Sequence, residues 1–264
     1  MSSLSQVDSA PSDEAVTGKS TRWRRVGAGG RSAALPGGRP NRRSILTFGL
    51  TRAAFAGPLE DANAALQRGD FGAAYALARP LAEKGLAVAQ LVLGVMCAGG
   101  HGAARDDAEA ANWLRKAADQ GRPEAQTLLG VMYAKGRGAP PSDGKAVKWF
   151  RKAADQDYAA AQSNLGLMYA EGRGVAQDDA EAAKWFGKAA DKGLVEAQNI
   201  LGLMYVKGRG VAQNYILAHM WLNLAAAQGD QRAHASRDEL ARMMTPAQIA
   251  DAQKLALERK KATG

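Results

Sequence analysis

The chain has one cysteine, Cys97, and three histidines, His101, His219 and His234, among 264 residues. A single cysteine excludes an intrachain disulfide. No histidine stands at a metal-pair spacing from another histidine or from the cysteine. No Ser-His-Asp arrangement and no phosphate-cradling glycine loop is visible. Aromatic residues make up only 6% of the chain, although 46% is hydrophobic. A core with so few rings must rely on small side chains and close helix packing. Segments that alternate polar and apolar residues, the mark of a half-buried strand, are nearly absent. No apolar run reaches the ~20 residues of a membrane-spanning helix. The expectation is therefore a chain with no catalytic residues, no cofactor and no metal site.

What is present is a repeat. Leu-Gly-x-Met recurs at Leu93-Gly94, Leu129-Gly130, Leu165-Gly166 and Leu201-Gly202. Trp113, Trp149, Trp185 and Trp221 keep the same 36-residue spacing. Self-similarity at such a period predicts stacked supersecondary units.

Net charge is +9, but it is unevenly placed. Residues 1–56 carry nine Lys/Arg and three acids, which leaves 26 basic and 23 acidic groups for the rest. The repeat region thus has an ordinary mixed surface, and nucleic acid is not an expected partner. Residues 1–40 are rich in Ser, Gly, Pro and Arg and are expected to be disordered. Asn41-Arg42-Arg43-Ser44-Ile45-Leu46-Thr47 then precedes a short apolar run, followed by Ala54-Phe55-Ala56. A basic segment, an apolar segment and A-x-A predict an export signal of twin-arginine or Sec type. The mature chain would begin near Gly57, in the periplasm or outside the cell; otherwise the chain is cytoplasmic.

Within one unit, Ala125, Leu129 and Tyr133 lie four apart on one face of a first helix. Gly130 inside that helix implies close approach of a neighbour, because a mid-helix Gly otherwise costs about 1 kcal/mol. Gly136-Arg137-Gly138 ends the helix and recurs as Gly172-Arg173-Gly174 and Gly208-Arg209-Gly210. A second helix follows with the stripe Ala146, Trp149, Phe150, Ala153 and Ala154. Asp106, Ser142, Asp178 and Asn214 stand as its N-caps in successive copies. Glu109 and Glu181, three residues on, suggest capping boxes. At these spacings the tryptophans read as packing residues.

The 36-residue period, the Gly-Arg-Gly turn and the runs Lys116-Ala117-Ala118, Lys152-Ala153-Ala154 and Lys188-Ala189-Ala190 resemble the Sel-1-like repeat family, a bacterial relative of tetratricopeptide repeats. The fold class expected is all-α: an α/α superhelix, or solenoid, of stacked antiparallel helix pairs. Boundaries follow as a leader at 1–56, a divergent N-terminal pair at 57–86, four repeats at 87–230 and capping helices at 231–264.

The resemblance implies a non-catalytic scaffold or adaptor that binds other proteins, with cell-envelope components among the candidates. The alternative is an envelope enzyme or a peptidoglycan-associated factor with a β-lactam or glycan ligand. Ser142-Asp143-Gly144-Lys145 matches the S-x-x-K motif of penicillin-recognising enzymes, yet its companion motifs are missing and capping accounts for Ser142. Partner contacts are expected where copies differ on the first helices. Thr127, Ser163 and Asn199 form one such set, and Lys135, Glu171 and Lys207, two turns further along the same helix face, the other.

Overall fold

The structure, a computed structural model, describes residues 56–263. The expected leader and its export signal therefore lie outside the described residues, apart from Ala56. The described residues form twelve helices and no strand. A first pair, α1 (Ala56–Arg68) and α2 (Phe71–Glu83), precedes four pairs of near-constant length. These are α3 (Ala87–Gly99) with α4 (Asp107–Asp119), and α5 (Pro123–Lys135) with α6 (Asp143–Ala154). Then come α7 (Ala159–Glu171) with α8 (Asp179–Asp191), and α9 (Val195–Lys207) with α10 (Tyr215–Ala227). α11 (Gln231–Ala241) and α12 (Pro246–Thr263) close the array. Helices α1 to α11 pack chiefly on their neighbours in the chain and α12 packs back on α10, so the fold is a solenoid of helix pairs.

Local chemistry sets the helix ends. Asp106, Ser142, Asp178 and Asn214 each accept a backbone N–H in the first turn of the helix that follows. Glu109 and Glu181 do not complete capping boxes: Glu109 turns to Trp113 and Glu181 to Lys184. Among the described residues the reciprocal box forms only at Thr245 and Gln248, where α12 starts.

Why Leu-Gly recurs is clear from the pairs. Phe150, Phe186, Leu114 and Leu222 are fully buried. Each presses on the glycine of the partner helix: a Cβ on Gly130 would sit 2.6 Å from Phe150 Cε1, and one on Gly94 2.6 Å from Leu114 Cγ. The second helix occupies the space that any larger residue would need.

Two polar ladders join successive pairs. In the first, buried Gln90, Gln126, Gln162 and Gln198 donate to the carbonyls of Ala82, Ala118, Ala154 and Ala190, at the end of the preceding second helix. Three of these glutamines also accept a hydrogen bond, from Gln120, Gln156 and Gln228. The remaining position holds Lys192, which lies 3.5 Å from the Asp157 carboxylate instead. Gln162 Oε1 is consequently buried without a partner. Asp157 itself stands where other copies have glycine and keeps the left-handed φ of 63°, a conformation that Asp tolerates better than most residues.

The second ladder runs along the loop edge. Arg137 Nη2 donates to Asp107 Oδ1 at 2.6 Å and to the Ala98 carbonyl at 3.2 Å. Arg173 repeats this with Asp143 and Ala134, and Arg209 with Asp179 and Ala170. Each arginine thus ties its turn to both helices of the preceding pair. The carboxylate is the first residue of a helix, where the macrodipole also favours it. The Arg137 hydrogen bonds, followed by those of Arg105, hold Asp107 at a pKa of about 2. Gly138 lets the turn come this close. Its φ is +68°, and a Cβ there would overlap the Asp107 carbonyl. In the first copy His101 replaces the arginine and packs its ring on Phe71, with centroids 4.7 Å apart.

Candidate interaction surface

Each first helix is enclosed by second helices, and little of it reaches solvent. On one row of α5, Glu124, Leu128 and Lys135 reach solvent, while Val131 between them is buried. The equivalent rows are Ala160, Asn164, Leu167 and Glu171 on α7, where Asn164 is buried, and Glu196, Ile200, Leu203 and Lys207 on α9. Spacings of four, three and four residues keep such a set on one helical face. Leu128, Leu167, Ile200 and Leu203 are half-buried, while Lys135, Glu171 and Lys207 are exposed at the C-terminal ends. Glu171 lies 3.5 Å from Arg173.

The six residues expected as contacts divide into two groups. Lys135, Glu171 and Lys207 lie on the exposed border of the stripe. Thr127, Ser163 and Asn199 are buried, at 3%, 8% and 5% exposure. The Thr127 hydroxyl is spent on the Pro123 carbonyl at 2.7 Å, and Asn199 Oδ1 is buried without a partner. The reason is helical geometry: eight residues at about 100° each carry position 135 roughly 80° round from position 127. The sequence reading placed the two on one face. It missed Leu128, Leu167, Ile200 and Leu203, whose signal was available as an i, i+4, i+7, i+11 pattern.

A second surface lies on the second helices. Lys116, Lys152 and Lys188 place Nζ 4.1, 4.3 and 4.1 Å from the ring centroids of Trp113, Trp149 and Trp185. Each Lys-Ala-Ala run thus covers the tryptophan three residues before it with a cation. Arg115 donates to the Tyr133 hydroxyl, and Arg151 does the same to Tyr169 at 2.7 Å, each reaching the next pair. The last two pairs differ, at α8 and at α10 respectively. Gly187 takes the place of Arg151, and Leu224 that of Lys188. Here α12 packs on α10, burying Ala252 and Ala256, and Arg259 stacks 4.3 Å from the Trp221 ring while pairing with Asp191.

The possible chemical groups are otherwise engaged. Ser142 Oγ accepts the Lys145 backbone N–H, and Lys145 Nζ lies 5.3 Å from the Tyr133 ring centroid. The S-x-x-K match is therefore a helix cap followed by a lysine on an aromatic ring. Cys97 is fully buried, and burial pushes its thiol up to about 11. His219 is buried at the α10–α11 seam. Burial, then the charge of Arg237, holds it below its ordinary value. Among the described residues no group of three or more His, Cys, Asp or Glu is placed to hold a metal ion, and no helix is long and apolar enough to cross a membrane.

A family model described as Sel1 repeat matches residues 87–121, 123–158, 159–194 and 195–230. Among solved structures, the chain resembles c5321, described as a protective antigen present in uropathogenic Escherichia coli strains displaying an SLR fold. Identity is 32%, coverage is 76% of this chain and 44% of that one, and the TM-score is 0.67. It also resembles a Sel1 repeat protein from Oxalobacter formigenes, with 30% identity, 78% and 63% coverage and a TM-score of 0.66. The chain therefore spans less than half of the first protein and less than two thirds of the second. No curated protein matches it. Proteins built from Sel1 repeats are generally interaction scaffolds. With four consecutive repeats covering more than half of its length, this chain belongs to the Sel1 repeat family.

Proposed function

We propose that the chain is a non-catalytic protein–protein interaction scaffold that holds a segment of a partner in the concave groove formed by its first helices. The observation that carries this reading is the half-buried apolar stripe on α5, α7 and α9. Apolar side chains left partly in water on successive helices gain free energy when a partner covers them. The border of Lys135, Glu171 and Lys207 alternates in sign, which would set the register of a bound extended or helical segment. Thr127, Ser163 and Asn199 act in this reading as packing residues between helices. Export of the mature chain, read from residues 41–56, is part of the proposal and would put the partner in the cell envelope or outside the cell.

The test is affinity capture from the native host. The wild type is compared with a triple variant, Lys135→Glu, Glu171→Lys and Lys207→Glu, whose exposed positions should leave the helical circular dichroism unchanged. Loss of specific partners by the triple variant is the expected result. An identical partner set for both proteins would remove the groove from consideration.

A further inference from the structure

Most arginines of the described chain are neutralised by a carboxylate, including Arg79, Arg105, Arg122, Arg137, Arg173 and Arg259. The groove between α4 and α6 is different. Along the outer faces of these two helices Arg115, Lys116, Lys145, Lys148, Arg151 and Lys152 are all exposed, and none forms an ion pair among the described residues; Arg115, Lys145 and Lys152 border the groove itself, whereas Arg151 reaches on to the next pair. Five of the six rest instead on aromatic rings or tyrosine hydroxyls. The other carboxylates of these helices are Asp107 and Asp143, held by Arg137 and Arg173, Glu109, and Asp119 and Asp155 in or just beyond the last turns.

The preceding groove shows what this one lacks. Between α2 and α4, Glu109 Oε1 accepts from Trp113 Nε1 at 3.2 Å and from the Tyr75 hydroxyl at 3.4 Å, and its charge acts on Arg79. The chain supplies its own carboxylate to a site made of indole N–H, phenol and guanidinium. Thirty-six residues on, the tryptophan is Trp149 and the arginine is Arg115, Ala111 stands in place of Tyr75 while Tyr133 supplies a phenol from α5, and the place of Glu109 is taken by Lys145. The acid is gone and a cation stands in its position.

We propose that the α4/α6 groove is a docking surface for an acidic segment of another protein, whose Asp or Glu carboxylates occupy the place that Glu109 fills one repeat earlier. This surface is separate from the first-helix groove and does not rest on that reading. Cations already held on rings lose little freedom on binding. Their mutual repulsion is relieved when the anion arrives, and the attraction weakens as salt rises. A protein acid fits better than single-stranded nucleic acid, because the lysines cover the tryptophan faces on which bases would stack. It fits better than a membrane surface, because neither helix carries an exposed large apolar side chain to insert.

The test uses the full chain and a fluorescein-labelled oligoglutamate peptide, followed by fluorescence anisotropy at low and physiological ionic strength. The double variant Lys145→Glu/Lys148→Glu should bind about tenfold more weakly or worse, in line with the loss of close charge pairs at an interface. The variant Lys254→Glu/Lys261→Glu on α12 has the same net charge and should bind like the wild type. Equal weakening in both variants would reduce the effect to net charge and overturn the site. Absence of peptide binding by the folded wild type would overturn it too. Tighter binding of a DNA oligonucleotide or of phosphatidylglycerol vesicles, abolished by the α6 variant, would overturn the partner class.

Discussion

The loop edge and the outer grooves are built by the same repeats, yet they behave differently along the chain. On the loop edge the arrangement is constant: Arg137, Arg173 and Arg209 reach back to Asp107, Asp143 and Asp179 and to carbonyls of the preceding first helices. On the outer grooves each junction is different. The α2/α4 groove holds its own carboxylate, the α4/α6 groove holds only cations over rings, and the α8/α10 groove is covered by α12 through Arg259. Where a side chain fixes the distance between repeats, the three later copies keep the same residue, and the first, with His101, makes a ring contact to Phe71 instead. Where the frame is already fixed, a position can change from Glu109 to Lys145, or from Arg151 to Gly187, without altering the stack. That freedom is what makes a groove available for recognition.

The strongest way to break this comparison is to disturb the constant side. Gly138→Ala combines a left-handed φ, at about 1–2 kcal/mol for an L-residue, with overlap of its Cβ on the Asp107 carbonyl. The expected loss is about 3 kcal/mol or more, read as a drop in the urea midpoint of the full chain. A change below 1 kcal/mol would show that the turn can move away from α4, and the loop edge would no longer count as rigid.

The period, the helix pairs, the caps and the Leu-Gly packing were all legible in the sequence, because each is a local pattern repeated in register. The Arg–Asp ladder was legible in principle, since Asp107 and Arg137 recur thirty residues apart in three copies. It was missed because nothing in one copy links a turn to the preceding repeat. The candidate site was read less well. Thr127, Ser163 and Asn199 vary like surface residues but are buried, since variation between copies reflects different neighbours as readily as different partners. The Lys145 substitution gained meaning only once Glu109 was seen among Tyr75, Trp113 and Arg79.

A smaller effect separates the ion pair from the glycine. Arg137→Ala removes charge-assisted hydrogen bonds to Asp107 and Ala98 and should cost about 1–2 kcal/mol at neutral pH. Asp107 sits at about 2 in the folded chain against an ordinary 3.8. A carboxylate depressed on folding contributes fully above its unfolded value, and the contribution is lost as pH falls through the folded value. The gap between wild type and variant should hold from neutral pH to about 4 and narrow between about 4 and 2 to the part owed to the Ala98 carbonyl. Urea melts across that range read it; a gap independent of pH would mean that Arg137 acts through packing and the Ala98 bond, not through the Asp107 charge.

The smallest effect belongs to the variable side, and its sign is opposite. Gly187 is a helical glycine in α8 with nothing within 4 Å of its Cβ position. A glycine inside a helix costs roughly 0.8–1 kcal/mol relative to alanine, because it gives up more backbone freedom. Gly187→Ala should therefore raise the urea midpoint by an amount equivalent to about 1 kcal/mol or less, where Gly138→Ala lowers it. Gly138 is required by the junction, whereas Gly187 stands where a neighbouring copy carries arginine. A loss of stability on Gly187→Ala would mean that covering of this groove by α12 depends on the missing side chain, and that the outer grooves are as constrained as the loop edge.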